Sequence, residues 1–181
     1  MTAEEVLDRA VDAALLLAAD RPCSRITLAD IAERTGVSFA ELYARVPSKD
    51  ALLSRLGRRF DRAAAETPLE GEVHDRLFEA VMARLEAMEP HRFVLLAIAR
   101  DERSERIAAR LPRTAGVLLR AAGVETGGLA GAVRVAAMAA VWARVLQVWR
   151  DDEGALNRTM AEIDSRLKQM RERLGRVGAG F

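Results

Sequence analysis

Helix-start and helix-stop signals alternate closely along residues 26–53 of the sequence. Side chains that cap helix N-termini recur there, at Thr27, Ser38 and Ser48. An acidic residue stands three positions after each of the first two, at Asp30 and Glu41, which is the pattern of a capping box. Gly36 and Pro47 stand where the intervening helices should stop. The stretch therefore predicts two short helices joined by a tight turn, followed at once by a third that continues to about residue 65.

The helical pattern extends over the rest of the chain. Apolar residues fall on one side of the first predicted helix, at Val6, Ala10, Ala13 and Leu17. Later breaks in the pattern predict helices near 72–88, 91–102, 104–121, 128–150 and 154–174. Pro112 should kink or split the helix over 104–121, and no segment shows the alternation of a strand. We therefore predict an all-α fold, with a three-helix N-terminal domain over residues 1–50 and a larger helical domain over 51–181.

Charge and cysteine content restrict the class of protein. The formal net charge is +1, so no global basic field indicates a nucleic-acid partner, although residues 24–60 carry a local charge of +3 and residues 1–23 carry −3. The single cysteine, Cys23, cannot form an intrachain disulfide, which fits a reducing cytoplasm. The acidic N-terminus does not fit a signal peptide. Two arginines interrupt the apolar stretch 129–149, which we interpret as a buried helix and not a membrane span.

A helix-turn-helix motif is indicated within this first part of the chain. The residues with the required spacing are Ile31, Ala32, Gly36, Val37 and Leu42. Ala32 is small enough for the second helix to approach closely, and Gly36 permits the positive φ of a tight turn. The larger apolar residues would close the small core between the two helices. In DNA-binding versions of this motif, the second helix lies in the major groove.

The residues around this motif resemble the N-terminal signature of the tetracycline-repressor (TetR) family. The matching positions are Thr27, Ile31-Ala32, Gly36-Val37-Ser38, Leu42-Tyr43, Val46, Ser48-Lys49 and Leu52-Leu53. The resemblance covers roughly the first third of the chain, and the number and length of the later helices extend it to the whole. It implies the TetR-like fold, in which a helix-turn-helix DNA-binding domain precedes a larger helical domain for ligand binding and dimerisation.

The resemblance also implies roles for individual side chains. Thr27, with the N-terminal amides of its helix, would contact a phosphate, and Tyr43 and Lys49 would bind backbone phosphates and set the register on DNA. The residues nearest the base edges would be Ser38, Phe39, Ala40 and Glu41, with Arg45 presented at the end of the same helix.

Two positions depart from the family pattern. Ala40-Glu41 stands where Gly-Thr is usual, and Val46 stands where a bulky aromatic residue is usual. Glu41 either accepts a hydrogen bond from a cytosine amino group or completes the capping box begun by Ser38, and both interpretations are compatible with DNA binding. The alternative to a DNA-binding protein is a protein that keeps the TetR-like fold but has lost DNA binding.

The later helices carry no catalytic or metal-binding motif. The two histidines, His74 and His91, lack a partner at metal-ligand spacing, so we predict no enzyme activity, no metal and no cofactor. The resemblance implies a small-molecule cavity among apolar and methionine side chains of these helices. The candidate pocket residues are Phe78, Met82, Leu85, Phe93, Leu96, Met138, Trp142 and Val145. The alternative is that most of these residues form ordinary core.

The last two predicted helices are candidates for a dimer interface, because they carry stripes of small and apolar residues. TetR-like proteins dimerise through these helices as a four-helix bundle. The candidate interface residues are Val135, Ala139, Trp149, Leu156, Met160, Ile163 and Leu167. The same stripe could instead close the core of the monomer.

The function that the resemblance implies is a cytoplasmic, ligand-responsive transcriptional regulator, most simply a repressor. It would bind a palindromic operator in double-stranded DNA as a homodimer and respond to a small hydrophobic effector. An alternative comes from residues 148–167, which are similar to the C-terminal region of TetR-fold lipid-binding proteins linked to ubiquinone biosynthesis. Those proteins bind isoprenoid lipid and do not act on DNA. The similarity is carried by Trp149, Asp151-Asp152, Thr159 and Asp164-Ser165-Arg166-Leu167. A helical enzyme is a third alternative, which would need polar side chains converging in one cavity.

Overall fold

A computed structural model of the chain describes residues 2–68, 70–102, 104–152, 154 and 156–181. The residues so described form nine α-helices and two short 3-10 helices, without a β-strand. The α-helices are α1 (Ala3–Asp20), α2 (Leu28–Thr35), α3 (Phe39–Arg45), α4 (Lys49–Ala65), α5 (Val73–Met88), α6 (Arg92–Asp101), α7 (Ser104–Ala121), α8 (Gly128–Arg150) and α9 (Asn157–Arg176). The 3-10 helices are Cys23–Arg25 and Glu89–His91. The prediction of an all-α fold is confirmed.

Local capping explains where the N-terminal helices begin and end. The Thr27 N–H donates to the Asp30 carboxylate at 2.7 Å, and the Asp30 N–H donates to the Thr27 hydroxyl at 3.1 Å, which completes the predicted capping box of α2. Gly36 follows α2 with a φ of +70°, a left-handed conformation that glycine adopts at little cost. The Ser48 hydroxyl accepts a hydrogen bond from the Ala51 N–H at 3.1 Å, as predicted for the start of the next helix.

The chain divides into two compact units. The first consists of Met1–Arg59 and Pro90–Arg103, and the second of Phe60–Glu89 and Ser104–Phe181. The division cuts α4 after its eleventh residue, whereas the sequence placed the boundary at residue 50. Helix α6 belongs to the first unit because it packs against α1 and the Cys23–Arg25 turn.

The core of the first unit forms where α1, α2 and α3 meet. Its fully buried side chains include Val6, Ala10, Ile31 and Leu42. Ala32 and Val37 are also buried, as the helix-turn-helix pattern predicts. The Asp101 carboxylate of α6 accepts hydrogen bonds from the Ser24 N–H and, at 3.0 Å, from the Ser24 hydroxyl, which ties the Cys23–Arg25 turn to α6.

The second unit is built from α5, α7, α8 and α9, with the most extensive packing between α7 and α8 and between α8 and α9. Its fully buried side chains include Leu77, Leu85, Leu118, Leu119, Met138 and Ile163. Pro112 lies inside α7, which is continuous from Ser104 to Ala121, so of the two predicted outcomes, a kink or a split, the split is excluded. Helix α7 packs against α5 and α8, and Leu118 and Leu119, which follow Pro112, are fully buried. This packing offsets the loss of the backbone hydrogen bond that proline cannot donate.

Helix α8 starts unusually close to the turn before it. A Cβ atom added at Gly131 would lie 2.2 Å from the carbonyl carbon of Thr126, far inside van der Waals contact. Only a glycine therefore fits at this position without a shift of the backbone.

Among the described residues, α8 alone is long and apolar enough to cross a membrane by length and composition, a property that core helices of soluble proteins share. Of its most apolar 18-residue window, 28 % is buried, and its most exposed apolar side chains are Leu129 and Val133. Arg134 donates to the carbonyl oxygens of Glu125, Ala179 and Gly180, and Arg144 pairs with Glu162 at 2.9 Å.

Candidate nucleic-acid interface

Helix α3 is anchored through one side and exposed on the other. Leu42 is fully buried, and Val37, just before the helix, is buried as well. Since an α-helix turns 100° per residue, Ala40 and Ala44 lie opposite Leu42. We call the exposed surface the outer face of α3, formed by Phe39, Ala40, Glu41, Tyr43, Ala44 and Arg45. It brings together most of the residues that the sequence predicted to contact DNA.

Two aromatic side chains lie along one edge of the outer face. The rings of Phe39 and Tyr43 are stacked, with centroids 5.6 Å apart and planes inclined by 27°. Their exposed fractions are 51 % and 52 %, which is high for aromatic residues. The stack holds each ring in one orientation while leaving about half of its surface accessible.

A charged pair occupies the opposite edge. The Arg45 guanidinium lies 3.4 Å from the Glu41 carboxylate and also donates to the Glu41 carbonyl oxygen at 2.9 Å. The Ser38 hydroxyl accepts a hydrogen bond from the Glu41 N–H at 3.2 Å, so Ser38 caps α3 as predicted. The reciprocal half of the capping box was predicted wrongly, because the Glu41 side chain pairs with Arg45 one turn later.

Thr27 and Asp30 bring a negative charge to the N-terminus of α2. The Thr27 hydroxyl donates to the Asp30 carboxylate at 2.7 Å, and Arg21 pairs with the same carboxylate at 3.1 Å. Hydrogen bonds from the hydroxyl and the N–H of Thr27, together with Arg21, lower the pKa of Asp30 below its usual value. The hydroxyl of Thr27 can therefore reach a phosphate only by leaving Asp30.

Lys49 supports the turn that leads into α2. Its ammonium group donates to the carbonyl oxygens of Cys23 and, at 3.1 Å, of Ile26. An ammonium group has three donors, so one remains for a phosphate. The sequence predicted a phosphate ligand here but gave no signal of the two carbonyl contacts, because the partners lie more than twenty residues earlier in the chain.

Acidic residues of α1 neutralise part of the positive charge counted in residues 24–60. Arg55 pairs with Glu4 at 3.2 Å and with Asp8 at 3.1 Å, and Arg59 pairs with Asp12 at 2.6 Å. The net charge of −3 over residues 1–23 was the only sequence signal of this pairing. Within the part of the chain that the structure describes, Arg25 and Arg34 are exposed and form no ion pair; the sequence counted them in the local charge but assigned them no contact with DNA.

The predicted pocket residues lie in two different units. Most of them belong to the second unit, where Leu85, Met138, Trp142 and Val145 are fully or almost fully buried, Met82 is buried and Phe78 is half-buried. Phe93 and Leu96 belong to the first unit, where Phe93 is 74 % exposed and Leu96 half-buried. A separate cleft of about 270 Å³ in the second unit is lined by none of them, but by Glu72, Val73, His74, Arg76, Arg171 and Phe181.

A buried ion pair lies beside Trp142 in the second unit. The Arg84 Nε donates to Asp61 at 3.0 Å, and both side chains are almost completely buried. The guanidinium carbon lies 4.8 Å from the centre of the Trp142 ring and 5.9 Å from that of Phe60. Burial lowers the pKa of Arg84, and the nearby carboxylate of Asp61 partly reverses that effect. Sequence reasoning missed this pair because neither residue belongs to a motif.

The predicted interface residues also differ in exposure. Trp149, Ile163 and Leu167 are buried inside the second unit, whereas Val135, Ala139 and Leu156 are half-buried and Met160 is exposed. The apolar side chains most exposed on α8 are Leu129 and Val133, which the sequence had not selected.

Residues that suggested the lipid-binding alternative have structural partners. The Trp149 indole N–H donates to Glu89 at 2.7 Å. The Asp152 carboxylate accepts hydrogen bonds from the Thr159 N–H at 2.8 Å and from its hydroxyl at 2.7 Å, which caps the start of α9. Packing and helix capping therefore account for these residues without a lipid.

The histidines and acidic residues do not assemble a metal site in the described part of the chain, where no group of three potential ligands converges. His74 Nε2 lies 3.0 Å from Asp164. The Lys168 ammonium group, at 2.7 Å from Asp164, and His74 lower the pKa of that carboxyl group, against the opposing effect of burial.

Residues 10–56 match the family model described as bacterial regulatory proteins of the tetR family, and this segment contains α2, α3 and the turn between them. The N-terminal segment of the chain therefore carries the helix-turn-helix domain of the TetR family. A TetR transcriptional regulator from Nitrosomonas europaea ATCC 19718 has a similar structure, with a TM-score of 0.71 and 24 % identity over 91 % of this chain and 97 % of that one. A TetR transcriptional regulator from Rhodococcus sp. RHA1 gives a TM-score of 0.67 and 16 % identity over 92 % of this chain and 96 % of that one. No curated protein matches the sequence significantly.

The family match of residues 10–56 and the helix-turn-helix geometry together support a transcriptional regulator with a DNA-binding N-terminal domain. The lipid-binding alternative is not favoured. TetR-family regulators are generally not enzymes.

Proposed function

We propose that this protein is a homodimeric, ligand-responsive repressor of the TetR type that binds a palindromic operator. One observation carries the DNA-binding part of the proposal. Helix α3 is fixed from beneath by Leu42, and the side chains of its outer face are exposed apart from the half-buried Glu41. A rigid helix with a free face is what a helix-turn-helix protein inserts into the major groove.

The exposed face of α8 supports a dimer. Leu129 is 89 % exposed, Val133 is exposed too, and Ala136 and Ala140 continue the same row at intervals of three or four residues. A row of small and apolar side chains in contact with water is unusual for a monomer. A second copy of the chain, packed through α8 and the exposed Met160 of α9, would cover it and would present two α3 helices to the two halves of a palindrome.

The core of the second unit supports the response to an effector. The Arg84 guanidinium lies over the Trp142 ring and donates to the Met88 sulfur at 2.9 Å, and Met82 and Met138 are buried in the same unit. Methionine side chains adapt their shape easily, so a hydrophobic ligand could be accommodated there by repacking. A ligand that prefers one conformation of the protein would shift the population away from the one that binds DNA.

DNA binding is tested by selecting duplexes from a random library with the purified protein. The variant Ala44→Asp places a negative charge at the centre of the outer face, where the side chain is exposed and contributes nothing to the core. We expect the wild type to enrich a palindrome and Ala44→Asp to bind it at least tenfold more weakly. Ala109→Asp is the matched control, because it adds the same charge at an exposed helical position of the second unit. Failure of the wild type to enrich any palindrome at low salt would contradict the proposal.

The dimer is tested by sedimentation of the wild type and of Val133→Glu. A buried, unpaired charge is costly, so the variant should sediment as a monomer and lose cooperative binding to the palindrome. Ala108→Glu, on the exposed side of α7, is the control and should leave the dimer intact. A wild-type protein that sediments as a monomer at micromolar concentration would contradict this part of the proposal.

A further inference from the structure

The chemistry of the outer face of α3 restricts what it can read in DNA. The centre of the face is formed by Ala40 and Ala44, and one edge by the Phe39 and Tyr43 rings. The charged groups of Glu41 and Arg45 are paired with each other, and the Ser38 hydroxyl accepts from the backbone of α3. The side chains near the start of the helix, which is the part that reaches base edges in this motif, are therefore mainly apolar.

An apolar surface in the major groove has one favourable partner among the base edges. Guanine, adenine and cytosine present hydrogen-bonding atoms there, and the side chains that contact them are those of arginine, lysine, asparagine, glutamine, serine, threonine and the acidic residues. Thymine presents a C5-methyl group, which contacts alanine and phenylalanine side chains. Burying that methyl group against carbon is favourable, whereas burying an unpaired polar base atom there is not.

Phe39 is the side chain best placed for such a contact. It is the first residue of α3, it is half exposed, and its ring is held by the stack on Tyr43. A ring already held in place loses little side-chain entropy when a base edge packs against it. The small side chain of Ala40, next along the helix, leaves room for a base edge to approach.

We propose that Phe39, flanked by Ala40, reads a thymine in each half of the operator through its C5-methyl group, and that Tyr43 is a positioning residue that orients the Phe39 ring. This assignment rests on the proposed function, since it names the base that the DNA-binding helix selects. Under this proposal, binding to the operator depends on the thymine methyl group, which takes no part in base pairing.

Replacing thymine by deoxyuridine tests the assignment directly, because this change removes the methyl group and leaves base pairing unchanged. The operator selected by the wild type is synthesised with a symmetric pair of thymines replaced, one pair at a time. We expect one pair whose replacement weakens binding by roughly fifteenfold, since each buried methyl group contributes about a fourfold change in affinity. Replacement of the other pairs should have little effect.

Variants of the two aromatic residues separate reading from folding. Phe39→Ala should bind the thymine and deoxyuridine operators equally, and its unfolding midpoint should match that of the wild type because the ring is half exposed. Tyr43→Phe keeps the stacked ring and should keep the methyl discrimination even if the lost hydroxyl lowers affinity uniformly. Tyr43→Ala should lose most of the discrimination.

The possible failures are distinguishable. A palindrome that the wild type binds equally well with every thymine pair replaced would overturn the assignment of Phe39 and leave the proposed function standing. The same conclusion would follow if Phe39→Ala kept the full preference for the methyl group. Absence of any selected palindrome would overturn the proposed function, and this assignment with it.

Discussion

Removing one charge of the buried Arg84–Asp61 pair should lower the free energy of unfolding more than removing both charges. The two side chains are only 7 % and 11 % exposed, and their 3.0 Å contact lies against the Trp142 ring. Asp61→Asn keeps the shape of the side chain but leaves the guanidinium charge buried without a carboxylate. Breaking a buried pair in this way typically costs about 3 to 5 kcal/mol.

The double variant Asp61→Leu, Arg84→Met provides the comparison. It removes both charges and keeps apolar contact with Trp142, and replacements of this kind often leave stability unchanged or increase it. We therefore expect the free energy of unfolding of the double variant to lie within about 1 kcal/mol of that of the wild type. That of Asp61→Asn should be several kcal/mol lower.

Urea unfolding followed by circular dichroism and by tryptophan fluorescence measures both effects, since Trp142 lies beneath the guanidinium. The slope of the transition should be the same in all three proteins, so that a change in midpoint reports stability alone. An Asp61→Asn protein within about 1 kcal/mol of the wild type would refute the reasoning, because it would mean that Arg84 does not need the charge of Asp61.

Three further changes test other contacts. Gly131→Ala should destabilise the protein by about 3 kcal/mol, since its Cβ would meet the Thr126 backbone at 2.2 Å, whereas Gly127→Ala meets nothing within 4 Å and should be nearly neutral in thermal unfolding. Burial alone would raise the pKa of Asp152, but hydrogen bonds from Thr159 and Arg158 outweigh burial and lower it. Because that pKa is lowered in the folded state, the contribution of Asp152 to stability is present above about pH 4 and is lost as the pH falls further. The difference in free energy of unfolding between the wild type and Asp152→Asn, measured by urea titration, should therefore become smaller in acid. A difference that does not change with pH would argue against this contact. Lys49→Met should lower the free energy of unfolding by about 2 kcal/mol, because two carbonyl groups lose their hydrogen-bond donor, and Lys49→Arg should lower it less. Unchanged hydrogen exchange around Cys23 in Lys49→Met would count against a stabilising role of these two hydrogen bonds.

Features that depend on neighbours along the chain were predictable from the sequence. The capping of α2 by Thr27, the positive φ of Gly36 and the cap at Ser48 each involve residues within four positions of one another. The helix-turn-helix could be located because its capping and turn residues are also close together in the sequence. Its buried positions, such as Leu42, follow directly from the 3.6-residue repeat of the helices.

Features that depend on distant parts of the chain were not predictable. The sequence counted Arg55 and Arg59 as positive charge available to DNA, because their acidic partners on α1 lie more than forty residues earlier. Glu41 had two local partners open to it, Ser38 before it and Arg45 after it, and the pattern alone did not distinguish between them.

The stripe of α9 illustrates another ambiguity. Ile163 and Leu167 are spaced four residues apart, which suits a dimer interface and the core of a monomer equally. Both are buried within the second unit. Periodicity identifies the apolar side of a helix, but the surface that covers this side is decided by the other helices of the fold.

The separation between the anchored and the exposed side of α3 has a consequence for divergence of the protein. Leu42 secures the helix, whereas Phe39, Ala40 and Ala44 contribute nothing to the core. Substitutions at these three positions can therefore accumulate in duplicated copies of the gene at little cost in stability. Copies of this regulator could acquire separate target sites by exchanging a few outward side chains while the same scaffold is retained.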